Sequence, residues 1–195
     1  MTKIINLFGG PGCGKSTTRA GLFYKMRMAG KSVEELSEWV KEAIYEKRDI
    51  AFADQIFAFG NQEKSQNVLC GHTDYLITDS PLALSCVYGR NRTETFEKLV
   101  IETFNNYNNI NIFLNRPTSY TCKGRNESLD EAKRIDKNIL DVLENNYIEY
   151  ICIPTNEKTV DTIFKIINIM EQGKTIYEAK AFIDNTTYWK EKQYE

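Results

Sequence analysis

Gly9-Gly10-Pro11-Gly12-Cys13-Gly14-Lys15-Ser16 is the stretch that decides the fold. It satisfies the pattern G-x-x-x-x-G-K-[ST] at every fixed position, and Thr17 follows it. Before it, Lys3-Ile4-Ile5-Asn6-Leu7-Phe8 is a short apolar run of the kind a buried strand shows. After it, residues 15–29 read as a helix, with Gly30 placed to cap its end. Strand, glycine-rich loop and helix together are the context the pattern requires, which a chance glycine turn would not supply. Glycines allow backbone conformations that turn successive N–H groups toward one anion. A helix opening at the loop adds the positive end of its dipole. Gly10, Gly12, Cys13 and Gly14 are thus expected to cradle a nucleotide triphosphate, ATP by preference. Lys15 should reach the β- and γ-phosphates, Ser16 should hold Mg2+, and Thr17 should face the α-phosphate.

Outward from the loop, strand and helix patterns alternate to the end of the chain. Residues 32–36, 75–78, 110–114 and 148–153 read as strands. Residues 38–47, 53–70, 93–107 and 157–171 read as helices. Ser128 with Glu131 is a capping box opening a helix to about residue 146, and Thr175 with Glu178 is a second, opening a polar C-terminal helix. Such alternation predicts an α/β fold, a parallel sheet with helices on both faces. The expected organisation is a P-loop domain over 1–172 and a helical extension over 173–195. Residues 118–126 lack periodicity and hold Lys123, Gly124 and Arg125. A polar loop there, within about 116–128, suits a lid.

Composition narrows the classes. Of 195 residues 42% are hydrophobic and 27% charged, which excludes a disordered or collagen-like chain. There is no apolar run long enough to cross a bilayer. The first apolar stretch ends in the phosphate loop rather than a cleavage site, so a cytoplasmic protein is expected. The net charge of −2 speaks against a general nucleic-acid binder, although a local basic site stays open. The five cysteines form no CxxC pair and suit reduced thiols, mostly in the core. His72, the one histidine, receives no role; Tyr188 and Trp189 are most simply packing residues.

Asp79 ends the strand Tyr75-Leu76-Ile77-Thr78, just before Ser80-Pro81. Ligand crevices of parallel sheets lie at the carboxyl ends of strands, where a carboxylate can hold Mg2+ directly or through water. An exposed turn aspartate is the plainer alternative. Guanine-reading N-K-x-D and D-x-x-G motifs are absent, which sets GTPases aside. Motor-type ATPases need a longer chain and a neighbour's arginine. A short domain with a basic lid points instead to a small kinase.

The phosphate loop, Glu35-Leu36-Ser37-Glu38-Trp39-Val40-Lys41, the stretch from Asp54 to Gln62, Thr78-Asp79-Ser80-Pro81-Leu82 and the Gly124-Arg125 lid carry a resemblance. Over residues 3 to about 154 the chain resembles the small AAA-type P-loop proteins common in bacteriophage genomes. These are similar to the ribosylnicotinamide-kinase domain and, more distantly, to nucleoside and nucleotide kinases. The resemblance implies a three-layer α/β/α fold whose five parallel strands run in the order 2-3-1-4-5. A phage-encoded protein would work in the host cytoplasm. Kinases of 5-hydroxymethyluracil in phage DNA belong to the same broad group, so a DNA acceptor stays open.

The resemblance also implies acceptor-side residues. A carboxylate at the end of the second strand would face the acceptor hydroxyl and take its proton. Glu38 is favoured over Glu35, with a dipole-answering helix carboxylate as the plainer reading of Glu38. Lys41 either carries acceptor-side charge or pairs with Glu38. Asp54, Gln55 and Gln62 lie among Phe52, Ile56, Phe57 and Phe59, as in a base pocket or in an ordinary amphipathic helix. Gln62 resembles a base-reading glutamine. Arg116, Lys123 and Arg125 would bring cations to the transferring phosphoryl group, with Arg116 on the nucleotide and Arg125 the strongest lid choice. Arg134 reads by default as helix-surface charge. Arg90 and Arg92 either meet an acceptor phosphate or sit in a solvated loop.

Three functions follow. One is a Mg2+- and ATP-dependent kinase of a nucleoside-like or nucleotide-like hydroxyl. Another is a kinase of modified bases in DNA. A third is an ATP-binding regulatory protein with weak hydrolysis.

Overall fold

The computed structural model describes residues 1–36, 55–88, 93–117 and 128–192, with side chains as far as 184. Five strands, β1 (Lys3–Phe8), β2 (Val33–Leu36), β3 (Tyr75–Thr78), β4 (Asn108–Asn115) and β5 (Ile151–Pro154), form one sheet. Its order is β2-β3-β1-β4-β5, and every pairing is parallel. The helices are α1 (Lys15–Met28), α2 (Gln55–Leu69), α3 (Glu94–Asn105), α4 (Leu129–Asn145), α5 (Thr159–Met170) and α6 (Ile176–Lys192). This is the P-loop kinase sheet that the resemblance implied.

Alternation along β1 explains the three layers. Ile5 and Leu7 point to one face, where they join Ile77, Ile112 and Leu114 against Leu22 of α1 and Ile163 and Ile167 of α5. Phe8 points to the other face and packs with Phe96 and Phe104 of α3 and Ile139 and Leu143 of α4. Near the middle of that second face the register sets Asn6 opposite Asn111. Asn6 Nδ2 donates to Asn111 Oδ1 and to Asn109 Oδ1, each at 2.9 Å, and Asn111 Nδ2 donates to the Glu149 carbonyl at 2.9 Å. These buried amides satisfy one another, which removes most of the cost of placing polar groups between two apolar layers.

The element ends shift from expectation in instructive places. Both capping boxes form: Ser128 Oγ accepts from Glu131 N, and Thr175 Oγ1 from Glu178 N. Gly30 and Gly173 follow α1 and α5 with φ of 77° and 87°, the left-handed conformation that ends helices. β5 starts at Ile151 rather than 148, because Ile148 N still donates to the Leu143 carbonyl as part of the turn leaving α4. β4 is longer than expected, starting at Asn108, since Asn109 and Asn111 are strand residues in the amide ladder. A 3-10 turn over Leu82–Cys86 went unforeseen; Leu82, Ala83, Leu84 and Cys86 are buried in it. Among the described residues no helix is long and apolar enough to cross a membrane. Cys13 and Cys86 are buried, and four described cysteines, these two with Cys70 and Cys152, are free thiols.

α6 lies on α5 and β5. Ala179 is fully buried in the core on the α1 side, and Ile176 and Ile183 pack against that core.

Candidate nucleotide-binding site

All five strands run the same way, so their carboxyl ends meet on one edge of the sheet. Phe8 leads there into the phosphate loop, Leu36 ends β2, Thr78 leads to Asp79, Asn115 to Arg116, and Pro154 to Thr155. Parallel topology alone therefore gathers five chain segments around one crevice.

The loop has the geometry its glycines permit. Gly9, Gly12 and Gly14 have φ of 133°, 85° and 92°, values that side chains rarely adopt. Gly14 is the N-cap of α1, with no side-chain cap and no acidic residue in the first turn. The opening amides of α1 thus meet no carboxylate of their own helix, as an anion site requires. Ser16 and Thr17 are exposed at this opening. Lys15 bends back over the loop, its Nζ donating to the carbonyls of Gly9 and Gly10. Cys13 is fully buried beneath the loop. Burial pushes its thiol pKa up, with Lys15 pulling the other way.

Two supports hold the loop, and neither was visible in sequence. On one side Asp136 of α4 accepts from Gly10 N at 2.6 Å through Oδ1. Its Oδ2 accepts from Arg116 Nε at 3.0 Å and from Nη2 at 2.8 Å. Arg116 Nη1 in turn donates to the Pro11 carbonyl. A methyl group on Gly10 would lie 2.7 Å from Asp136 Oδ1 and 2.9 Å from the Ala132 carbonyl, so α4 is packed directly on the loop. On the other side Thr155 Oγ1 donates to the Cys13 carbonyl at 2.8 Å. Arg116, expected on the nucleotide, is here the strut that joins the loop to α4.

Asp79 is buried, as a strand-end site residue would be, and is not an exposed turn aspartate. Its Oδ1 accepts from Arg19 Nη1 at 2.7 Å. Arg19 stands four residues after Lys15 on α1 and was passed over in the sequence, although i, i+4 spacing places the two on one helix face. Glu35 is half-buried at the end of β2, with Oε2 3.3 Å from Arg19 Nε. That contact is electrostatic, since Nε makes no hydrogen bond among the described residues. Gln62 is buried on α2, and its Nε2 donates to the Ser80 carbonyl at 3.2 Å, beside Asp79.

The structure thus brings Gly10, Gly12, Cys13, Gly14, Lys15, Ser16, Thr17, Glu35, Gln62, Asp79 and Arg116 to the carboxyl edge of the sheet. Arg134 is exposed on α4 near Glu131, the surface charge expected by default. His72 is exposed in the turn before β3. Ile56 and Phe57 lie on the exposed side of α2, while Phe59 is buried edge-on to Phe96. Glu38, Lys41, Phe52, Asp54, Arg90, Arg92, Lys123 and Arg125 lie outside the described residues.

Comparison with solved structures finds the same fold in two kinases. Deoxyadenosine kinase from M. mycoides, determined with bound dATP, superposes with a TM-score of 0.52 at 20% identity, covering 86% of this chain and 100% of that one. Thymidylate kinase from Ehrlichia chaffeensis superposes with a TM-score of 0.56 at 14% identity, covering 86% and 99%. No curated protein matches the chain in sequence. The profile of an AAA-domain family matches residues 4–159, from β1 to the start of α5, and the chain belongs to that family.

Proposed function

We propose that the protein is a kinase that moves the γ-phosphate of ATP, bound with Mg2+, to a hydroxyl of a nucleoside-like or nucleotide-like acceptor. The observation that carries this reading is the shared edge of the sheet. There the phosphate loop, a buried carboxylate (Asp79) and a buried amide (Gln62), whose Nε2 donates to the Ser80 carbonyl beside Asp79, lie together. A phosphate cradle alone would serve any nucleotide-binding protein. A strand-end carboxylate adds a donor for the nucleotide's cation, and the amide from α2 beside it a group for a second substrate. Two proteins of the same fold are named deoxyadenosine kinase and thymidylate kinase, which supports a nucleoside-like acceptor.

The donor set suits Mg2+. Ser16 offers a hydroxyl and Asp79 a carboxylate, both hard oxygen donors. Among the described residues no group of three or more His, Cys, Asp or Glu could hold a metal by itself. Mg2+ commonly takes only one or two protein ligands and completes its shell with phosphates and water. Bound there, it would offset charge on the transferring phosphoryl group. Lys15 would exchange the Gly9 and Gly10 carbonyls for phosphate oxygens. The first amides of α1 would hold the β-phosphate, and Arg116 would keep the loop in shape through Pro11. Glu38, or in its place Glu35, is the proposed base, Arg125 the proposed lid cation, and Lys41, Asp54, Gln62 and Arg90 the proposed acceptor contacts. Residues 173–195 are the proposed helical extension of a domain over 1–172.

Label transfer from γ-labelled ATP with Mg2+ tests the reading. The acceptors are nucleosides, nucleoside monophosphates, nicotinamide riboside, and duplex DNA with and without 5-hydroxymethyluracil. Label in a small acceptor is the expected result. Label in the modified DNA alone would move the acceptor to DNA, and label only in free phosphate would overturn the kinase reading in favour of an ATPase.

A further inference from the structure

One guanidinium joins three elements at the crevice. Arg19 rises from α1, one turn beyond Lys15. Its Nη1 donates to Asp79 Oδ1 at 2.7 Å and to the Leu36 carbonyl at 3.3 Å, and its Nε lies 3.3 Å from Glu35 Oε2. The Arg19 side chain is 14% exposed and that of Asp79 2%. Among the described residues Arg19 is the only cation within ion-pair distance of Asp79. A carboxylate buried this deeply needs a partner, and a charge-assisted bond fixes its orientation as well as its charge. The bond engages Oδ1. Nη1 alone serves Asp79 and Leu36, and the fork of the guanidinium adds the contact with Glu35 through Nε, a second nitrogen that an ammonium lacks. Nη1 is engaged with Asp79 and the Leu36 carbonyl, and Nε faces Glu35, although Arg19 shares a helix face with Lys15.

We propose that Arg19 is a positioning residue that sets the Asp79 carboxylate for the divalent cation of the bound nucleotide. The proposal rests on the Mg2+–nucleotide reading given above but not on the identity of the acceptor. It predicts a defect specific to the cation. Losing one charge-assisted hydrogen bond is worth roughly a tenfold change in affinity or more.

The test measures binding of a non-hydrolysable ATP analogue across a Mg2+ titration, with melting curves alongside. The proteins are wild type, Arg19→Met, Arg19→Lys, Asp79→Asn and the Arg19→Met/Asp79→Asn double variant. Affinity without Mg2+ should stay near wild type in Arg19→Met. The gain in affinity on adding Mg2+ should fall roughly tenfold in Arg19→Met. It should recover in part in Arg19→Lys, and the double variant should be no worse than Asp79→Asn, the mark of two residues acting through one contact. An Arg19→Met protein that keeps the full Mg2+ gain overturns the proposal. So does one that loses affinity equally with and without Mg2+, which would make Arg19 a general strut or a phosphate ligand. Should Arg19→Met fail to fold, Arg19→Lys decides the question: an unchanged Mg2+ gain overturns the proposal, and a selective loss upholds it. Wild type that gains affinity from Mg2+ yet labels no acceptor would sink the kinase reading while leaving this inference standing.

Discussion

Gly14 carries two constraints at once. Its φ of 92° strains any side chain, and a methyl group there would lie 2.8 Å from Thr155 Cγ2. Gly14→Ala should therefore weaken nucleotide binding by tenfold or more, since left-handed strain costs about 1–2 kcal/mol before the Thr155 contact is counted. Equilibrium binding of a fluorescent ATP analogue checks this, and an unchanged affinity would show that the loop reshapes freely. Lys15→Ala should abolish phosphoryl transfer while leaving the fold intact, because among the described residues Lys15 hydrogen-bonds only to carbonyls of its own loop. Full turnover by that variant would refute the assignment of the loop. At this scale the sequence was informative where a fixed spacing encodes a backbone shape, as in the loop, and where a charge ends an apolar strand, as at Asp79. It was silent on Asp136, a carboxylate in mid-helix with no motif around it. Arg19 left a fainter trace, its spacing from Lys15.

Among the elements, α4 has the most to explain. Its buried stripe of Ala132, Ile139 and Leu143 faces the sheet, and Asp136 lies between the first two, bonded to Gly10 N and Arg116. Arg116 and Asp136 side chains are 9% and 17% exposed, so breaking the pair strands a charge. Asp136→Ala should lower stability by roughly 3 kcal/mol, and Asp136→Asn, which still accepts from Gly10, by less. Denaturant melts would rank them, and equal losses would assign the effect to charge alone. The capping boxes give a pH dependence. Backbone and side-chain bonds from Ser128 hold Glu131 below its ordinary value of 4.5, and Thr175 does the same for Glu178. A lowered folded pKa stabilises above the unfolded value and is lost as pH falls through the folded one. Both helix starts should thus weaken as pH drops below about 4.5. Glu131→Gln keeps the box but not the charge, so its melting temperature should fall less steeply with acid than that of wild type. Parallel slopes would mean that the cap contributes nothing there. These helix starts were legible because four residues suffice to specify them. The start of β5 was not, since Ile148 is apolar enough for a strand, yet its N–H donates to the Leu143 carbonyl in the turn.

For the molecule as a whole, alternation of patterns and one loop motif were enough for the α/β class, and the resemblance supplied the strand order. What neither could supply is contact between distant segments, because no local spacing encodes it. α6 illustrates this. Its sequence reads as a polar appendage, yet Ile176, Ala179 and Ile183 complete the core on the α1 side. A chain ending at residue 173 should lose roughly 3 kcal/mol of stability from the apolar area uncovered. Dye binding to exposed core and a lower melting temperature would report it, and an unchanged melt would make the helix a true appendage. The supports of the phosphate loop have a consequence for synthesis. Gly10 leans on a residue 126 positions later, and Cys13 on one 142 positions later. At the pace of a ribosome those partners emerge roughly six to thirty seconds after the loop itself. The motif that announces nucleotide binding is thus translated early and completed late, and a nascent chain released between Asp136 and Thr155 carries the motif with one of its two supports still missing.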